Sequence, residues 1–431
     1  MYKKYFEFKN IFELGQKSFY LGTFFLASAL PISLIFFLIS TAISFNLKKF
    51  QIFKEKSSYV LSICSLVMLL SCINSSLNLQ EITKVNSMQI FIGLFNWIPH
   101  FIFFLTSQIY LKSSNQRKTL IKLLIAGTFP VILSCILQSV FKVHGPFETL
   151  NGLIIWFQKP ITGGRGVSGL FSNQNYTGVW LTTLLPLTLY ELSNSKKTHL
   201  EKFSLIITNL LIIFFAIRTN SRNALLGLTI ASTMIIKFRV LLIFITSLIS
   251  SILLNLHKLV FNVFQDSNLF NILIPISFTR QFSTFNFNNF YEYPRIKIYS
   301  VSLDLISNNP FLGWGSSTYS NLYKFKIDGA SHQHSHNIFL ELAFSFGIPL
   351  AIFMLVILIK LLSESFKLIY KKHRIDKLYS EKAWLISSLV IIVCQLNDIT
   401  YFDGKIALLI WILLTGLKCI LNEYSVKISV S

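Results

Sequence analysis

Long apolar stretches recur along most of the chain, and they constrain its fold more than any other feature. A helix needs about 20 apolar residues to cross a bilayer. Stretches near that length lie at roughly 58–78, 88–111, 119–141, 169–190, 203–217, 223–236, 240–256, 337–362, 383–397 and 404–421. With 53% hydrophobic and only 13% charged residues, the composition excludes an ordinary soluble domain. The sequence therefore predicts an all-α integral membrane protein.

The first apolar segment, residues 19–45, is longer than one membrane span and shorter than two. Pro31 near its middle favours a pair of short helices that enter the membrane and return. This hairpin raises the predicted number of transmembrane helices to about twelve.

Basic residues predict the side of the membrane on which each loop lies. Lys360–Lys382 carries seven Lys and Arg against three acidic residues, and such loops remain on the cytoplasmic side. Alternation of the spans then places most other basic residues there too, including those of 1–18, 46–56 and 112–122. This arrangement accounts for most of the formal charge of +21, so no nucleic-acid partner is indicated.

The same topology leaves residues 257–335 outside, a segment too long for a passive connection. FSTFNFNNFYEYP (282–294) suits the membrane interface, RIKIYSVSLDLISNNP predicts a helix that ends near Asn308, and FLGWGSS predicts a glycine turn. We therefore predict an N-terminal transmembrane bundle over 1–256, a large, partly helical periplasmic loop over 257–335, and C-terminal transmembrane helices over 336–431.

The cysteines lie within apolar stretches and show no paired spacing, which indicates neither a disulfide framework nor a zinc site. They are Cys64, Cys72, Cys135, Cys394 and Cys419.

Four arginines at the outer ends of predicted spans or in the outer loop are candidate ligands: Arg165, Arg218, Arg222 and Arg295. A single interfacial arginine is more often an anchor than a ligand. Several on one side suit a pyrophosphate, because a guanidinium group keeps its charge and makes two parallel hydrogen bonds to phosphate. GGRG and SNQN, around Arg165 and Asn175, add amides that suit an anion or a sugar.

SHQHSHN places His332, His334 and His336 at alternating positions before an apolar stretch. Three interpretations are open: a metal site, contacts with lipid headgroups, and acid–base catalysis. No Cys, Asp or Glu close in sequence completes a set of metal ligands, so we predict no metal. A neutral imidazole accepts a proton near pH 7, which favours catalysis. His336 is the best candidate because Asn337 and Glu341 follow it at the start of a helix.

In these segments the sequence resembles the superfamily of O-antigen ligases and O-antigen polymerases, bacterial envelope glycosyltransferases that use polyprenyl-pyrophosphate donors. Four motifs carry the resemblance: RGVSGLFSNQNYTGVWLTTLLPL, TNSRNALLG, RIKIYSVSLDLISNNPFLGWGSSTY and SHNIFLELAFSFGIPL. The motif residues that carry over are Arg165, Gly169, Phe171, Asn175, Arg222, Arg295, Gly313, Gly315, His336, Asn337, Glu341 and Gly347. His332 and His334 are not required by the family pattern.

The resemblance implies a multi-pass enzyme of the bacterial inner membrane whose active site faces the periplasm. Its donor would be a glycan on undecaprenyl pyrophosphate, and its acceptor the lipid A core or another glycan, with no cofactor. Arg222 and Arg295 would bind the pyrophosphate and His336 would be the general base. An in-line attack predicts inversion at the anomeric carbon. The residues expected to bind substrate are Arg165, Asn175, Arg218, Asn337, Glu341, His334 and His332.

Other functions stay open. A polymerase that joins repeat units would use the same chemistry as a ligase. A transporter of a small anion such as bicarbonate belongs to a different class, but transporters commonly show internal repeats and ionisable residues near the bilayer midplane, and neither is evident in the sequence. A scaffold without chemistry would leave the arginines unexplained.

Overall fold

The structure, a computed structural model, describes residues 2–48, 55–78, 87–162, 165–194, 196–232, 294–327, 331–371 and 379–429. Nearly all of this part of the chain is helical. The helices are α1 (Tyr2–Phe25), α2 (Leu30–Lys48), α3 (Lys56–Asn78), α4 (Ser87–Ile92), α5 (Ile98–Leu111), α6 (Ser114–Val140), α7 (Gln174–Ser193), α8 (His199–Arg218), α9 (Arg222–Ser232), α10 (Pro294–Asn308), α11 (Tyr319–Lys326), α12 (Ile338–Phe346), α13 (Ile348–Lys371), α14 (Tyr379–Asn397) and α15 (Gly404–Ser429). A 3₁₀ helix, Gly93–Asn96, lies between α4 and α5, and the short strands β1 (Phe147–Thr149) and β2 (Ile154–Trp156) pair antiparallel before α7.

α1 and α2 form a helical hairpin, but its turn lies earlier than expected. α1 ends at Phe25 and α2 begins at Leu30, so Pro31 lies in the first turn of α2 and not in the connection. This position suits proline because the first amides of a helix have no helical acceptor. α1 also begins at Tyr2, so residues 2–18, which belong to a segment that we expected to be a connection, are helical.

Two of the predicted spans are interrupted helices. The span predicted over 88–111 consists of α4, the 3₁₀ turn and α5, with the break at Trp97 and with Pro99 in the first turn of α5. The span predicted over 337–362 consists of α12 and α13, separated at Gly347, whose φ of 89° is left-handed. The expectation of single helices is wrong at both places, because apolar length does not report a change in backbone direction.

α10 and the glycine turn after it lie where the sequence predicts them. α10 ends at Asn308, and Gly313 and Gly315 adopt left-handed φ values of 67° and 79°. The turn packs against α12, where the amide of Gly315 donates to the carbonyl of Ser345 over 2.9 Å. The outer loop is therefore attached to the bundle along this turn.

Seven of the described helices are long and apolar enough to cross a membrane, and they include α6, α13 and α15. α15 is largely buried, whereas α13 exposes Ile352, Val356 and Ile359 on its surface. A continuous exposed stripe of large apolar side chains suits lipid and not water. The chain is therefore a multi-pass helical membrane protein. The predicted span at 240–256 and the aromatic segment up to residue 293 lie outside the described residues, so the total of twelve helices stays a prediction.

Candidate active site

The predicted site residues come together where several helices end. α7 and α9 begin at this place, α14 ends there, and the segment 331–337 and the start of α10 lie against them. Two asparagines cap the helices that begin here: the side-chain oxygen of Asn173 accepts from the amide of Asn175, and that of Asn337 accepts from the first amides of α12. Such caps satisfy amides that have no helical partner.

His336 and Asp398 form the closest polar pair in this place. His336 Nδ1 lies 2.6 Å from Asp398 Oδ1. Because a carboxylate can only accept a hydrogen bond, Nδ1 must carry the proton, and the lone pair of Nε2 is left to accept another. Asp398 follows α14 directly and is buried, whereas the His336 ring is partly exposed. The arrangement is that of an oriented general base.

The carboxylate of Asp398 has a second partner and stays ionised. Its other oxygen accepts a hydrogen bond from the side-chain amide of Asn175 over 2.6 Å. Burial raises the pKa of Asp398, but the hydrogen bond from His336 and the positive charge of Arg295 are among the effects that outweigh it, so the pKa lies below its usual value. An ionised Asp398 stabilises the imidazolium that forms when His336 takes a proton.

His336 has an unusual backbone conformation for a residue other than glycine, with φ at 57°. The residue before it is held firmly: the amide of Ser335 donates to Glu341 over 2.9 Å, and its hydroxyl donates to the carbonyl of Asn337 over 3.0 Å. Glu341, on the first turn of α12, therefore supports the turn that presents His336. Strained residues of this kind often occur at functional sites.

The other two histidines lie beside His336. The centroid of the His334 ring is 4.6 Å from that of His336, and His334 Nδ1 accepts a hydrogen bond from the His336 amide over 3.3 Å. Burial is the main cause that lowers the pKa of His334 to about 4, so His334 is neutral at neutral pH. The His332 ring is 6.2 Å from His336 and packs edge-on to Tyr323.

Arg222 and Arg295 are linked through two asparagines. Arg295 donates to the side-chain oxygen of Asn397 over 2.7 Å, and the amide of Asn397 donates to the side-chain oxygen of Asn223 over 2.7 Å. Asn223 directly follows Arg222 at the start of α9. Desolvation lowers the pKa of Arg222, and the positive charge of Arg295 lowers it further. Asn397 also precedes Asp398, which joins the cationic part of the site to the base.

Asn337 does not orient His336 through the hydrogen bonds that the structure describes. Its side-chain oxygen caps α12, and its amide donates to the carbonyl of Leu396 over 2.9 Å. Asn337 thus ties the start of α12 to the end of α14, and this contact brings His336 near Asp398. The expected role of Asn337 in binding substrate stays a prediction.

Arg165 and Arg218 lie together, but not at the His–Asp pair. The amide of Val167 donates to the carbonyl of Arg218 over 3.0 Å, so the segment after Arg165 packs on the end of α8. Both arginine side chains are exposed. Within the described residues no hydrogen bond connects either guanidinium group to His336 or Asp398.

A metal ion is compatible with part of this site. His334, His336 and Asp398 offer ligand atoms that all lie within 4.8 Å of one another. No acidic residue close in sequence completes this set of ligand atoms. Asp398 is distant in sequence and meets the histidines only in the folded chain. The direct 2.6 Å hydrogen bond between His336 and Asp398 is the contact of an acid–base pair. The absence of a metal from the reaction stays a prediction.

Sequence reasoning did not identify Asp398, Asn397 or Asn223. Asp398 and Asn397 lie in QLNDITYFDG, the polar gap between the last two apolar stretches. The available signal is the presence of two acidic residues and two amides in so short a segment, since polar groups at the edge of a membrane tend to face a cavity. Asn223 stands beside a predicted arginine and carries no separate signal.

A comparison with known protein families matches a segment that contains part of this site. Residues 207–355 match the family model described as O-antigen ligase. This match supports the resemblance of the chain to the O-antigen ligase superfamily. The segment covers roughly a third of the 431 residues. No curated protein matches the chain.

The O-antigen ligase segment contains much of the site but not all of it. Arg222, Arg295 and His336 lie within it, whereas Asn175 and Asp398 lie outside. The two outside residues bond to each other, and Asp398 bonds to His336. Helices on both sides of the O-antigen ligase segment therefore complete the site.

Proposed function

We propose that the protein is a glycosyltransferase of the ligase or polymerase type. It transfers a glycan from undecaprenyl pyrophosphate to a hydroxyl group of the lipid A core or of another glycan. The single observation that carries the proposal is the connection of Arg222 and Arg295 to the His336–Asp398 pair through Asn397. This arrangement puts two groups for a pyrophosphate beside one group for a hydroxyl proton. The O-antigen ligase domain supports the same class of reaction.

The chemical step needs both halves of the site. The acceptor oxygen attacks the anomeric carbon of the donor, forming a new C–O bond, while the bond from that carbon to the pyrophosphate oxygen breaks. The electron pair leaves with the pyrophosphate, whose added charge Arg222 and Arg295 neutralise. The acceptor proton moves to Nε2 of His336, and Asp398 stabilises the resulting imidazolium. Attack opposite the leaving group inverts the anomeric carbon.

The position of the site supports a location at the periplasmic face of the bacterial inner membrane. The site lies at the helix ends remote from the basic segment 112–122, which begins α6. Basic loops remain on the cytoplasmic side, so the opposite end faces the periplasm. There a lipid-linked donor enters from the bilayer and an envelope acceptor is within reach.

Deletion of the gene followed by envelope glycan analysis tests the reaction. For a ligase we expect loss of all long-chain glycan and accumulation of the donor on its carrier lipid. Acceptors that carry a single repeat unit would indicate a polymerase. Unchanged envelope glycan together with altered anion uptake would contradict the proposal and favour transport.

His336→Ala separates catalysis from donor binding. We expect turnover by the purified protein to fall by about 10²–10⁴-fold, the typical contribution of a general base, while undecaprenyl pyrophosphate still binds. His144→Ala is the matched control, because His144 is exposed on the loop before β1 and is expected to leave turnover unchanged. Normal turnover by the His336 variant would remove His336 from the mechanism.

Dialysis against EDTA tests for a metal and is expected to leave turnover unchanged. A loss of turnover that a divalent cation restores would instead show a metal at the His–Asp cluster.

A further inference from the structure

A partly open cavity of about 270 Å³ adjoins the proposed base on the side of His334. Its lining comes from six segments: the break between α4 and α5, the first turn of α7, the glycine turn, the histidine segment, α12 and the connection before α15. The lining residues are Gly93, Asn96, Trp97, Tyr176, Ser316, Ser317, Gln333, His334, Glu341, Ser345, Phe346 and Phe402. His334 connects the cavity to the base, because it lines the cavity and its ring is 4.6 Å from that of His336.

The chemistry of the lining differs from that of the arginine pair. It offers two side-chain amides, several hydroxyl groups, one buried carboxyl group and aromatic rings. Among the described residues, no lysine or arginine lines it. A phosphate group would find no cation there and would meet the carboxyl group of Glu341. Hydroxyl-rich neutral molecules suit such a lining, because amides and carboxylates bond to hydroxyl groups and aromatic rings pack against C–H faces.

The walls of the cavity are held in place before any ligand binds. Trp97 stacks on Tyr401 with 4.5 Å between ring centroids, and the Tyr401 hydroxyl donates to the carbonyl of Asn96 over 2.7 Å. The hydroxyl of Ser316 donates to the carbonyl of Ile90 on α4. These bonds use main-chain atoms of Asn96 and leave its side-chain amide available. A preformed polar site loses little freedom when it binds a ligand.

From this cavity we infer a binding site for one neutral sugar ring of the acceptor, which presents a hydroxyl group past His334 to Nε2 of His336. The inference rests on the proposed glycosyl transfer and adds the acceptor's position and class. The volume lies just below the range of about 300–1,000 Å³ typical of sites for drug-sized molecules, which fits a single ring. Uronic acids and phosphorylated sugars are disfavoured by the carboxyl group of Glu341. The acceptor oxygen forms the new bond to the anomeric carbon and its proton goes to His336, while the pyrophosphate leaves toward Arg222 and Arg295.

The double variant Asn96→Ala/Gln333→Ala tests the site by removing both side-chain amides. With the cell's own donor and acceptor, isolated from the deletion strain, we expect the KM for the acceptor to rise about tenfold to a hundredfold, the effect of two lost hydrogen bonds. The KM for the donor is expected to stay unchanged. Asn115→Ala is the control variant, because it also removes a side-chain amide but does so far from the cavity. Asn115 lies at the start of α6, and the 14 residues of α5 separate it from the cavity at the start of α5. Size-exclusion chromatography and binding of undecaprenyl pyrophosphate verify the fold of each variant.

Binding of free sugars gives a readout that does not depend on turnover. Saturation-transfer NMR with the methyl glycosides of glucose, galactose, mannose and N-acetylglucosamine is expected to detect at least one ligand for the wild type. That signal should persist in Arg295→Ala and disappear in the double variant. If the wild type transfers no glycan, the proposed reaction is overturned. The sugar site would still stand in that case, provided that the wild type binds a sugar and the double variant does not. An unchanged acceptor KM in the double variant, or sugar binding that it retains, would overturn the inference.

Discussion

At the level of single residues, Arg295 is fixed in direction by Asn397. One nitrogen of its guanidinium group donates to the Asn397 side chain over 2.7 Å. The planar group has further N–H donors, so it can keep this bond and still face a phosphate. Asp398 acts in the same way on the imidazole, since it fixes which nitrogen of His336 carries the proton.

Arg295→Lys should fail almost as badly as Arg295→Ala. A lysine ammonium is a point charge that cannot keep the bond to Asn397 and also bind a pyrophosphate with two parallel bonds. We expect turnover to fall by about 10²–10³-fold in both variants, the usual loss for a group that stabilises developing charge. Transfer assays in membranes measure the turnover of each variant. The control is Lys297→Ala on the same helix, which should be close to wild type because Lys297 is exposed. Near-normal transfer by Arg295→Lys would contradict the role of Arg295 in making two parallel bonds.

Asp398→Asn should slow transfer while the donor still binds. The amide is neutral and can donate to His336, so it no longer fixes the proton on Nδ1 or stabilises the imidazolium. We expect turnover to fall by about 10²–10⁴-fold, with binding of undecaprenyl pyrophosphate retained. Asp304→Asn, at an exposed position of α10, is the matched change. Equal losses in both variants would indicate a general effect of charge and not an acid–base pair.

At the level of secondary structure, the site depends on where helices stop. Gly347 ends α12 and allows α13 to begin at Ile348, whose amide donates to the carbonyl of Pro310 over 2.8 Å. This junction attaches α12 to the end of α10 and so relates the histidine segment to Arg295. A single long helix over the same residues would leave these two groups unconnected.

Gly347→Ala should destabilise the protein and reduce transfer. Its φ of 89° is unfavourable for alanine, and an added methyl group would collide with the backbone of Phe311. We expect a clear fall in the thermal unfolding temperature of the detergent-solubilised protein, corresponding to about 1–3 kcal/mol. Gly152→Ala is the control, because its φ of 81° is similar but the nearest atom to an added methyl group is 3.8 Å away, on Glu148. An equal fall in the unfolding temperature of both variants would show that backbone strain alone is responsible. Close packing at Gly347 would then have no role.

At the level of the whole molecule, the basic segment 112–122 and the candidate active site lie at opposite ends of the bundle. At the end remote from the site, buried Arg117 pairs with Glu423 over 2.6 Å and fixes the start of α6 to the last helix. The site end carries the β-hairpin, where the indole of Trp156 donates to the carbonyl of Ser28 over 2.7 Å. The proposed orientation in the membrane follows from this polarity.

Cysteine accessibility in intact cells tests that orientation. All five native cysteines are buried, so they contribute little background to labelling. We expect an impermeant thiol reagent to label Glu148→Cys on the hairpin once the outer membrane is permeable. Asn115→Cys at the opposite end should react only after the inner membrane is opened. The reverse order of labelling would place the site in the cytoplasm and rule out the proposed reaction at the periplasmic face.

The sequence by itself determined the features that depend on local pattern. Long apolar stretches predicted a helical membrane protein, and RIKIYSVSLDLISNNP and FLGWGSS predicted α10 and its glycine turn. The O-antigen ligase resemblance was confirmed over residues 207–355. These features follow from hydropathy, turn chemistry and motif spacing within a few tens of residues, so no long-range contact is needed to predict them.

Only the tertiary structure decided which polar groups meet. Asp398 is 62 residues from His336 and 223 from Asn175 in sequence, and Asn397 reaches Arg295 across a comparable distance along the chain. The cavity beside His334 likewise takes its walls from six segments of the chain. Hydrophobic patterning sets which helices form, but the partner of a carboxylate or an amide depends on how helix ends pack, and that packing is a property of the whole bundle.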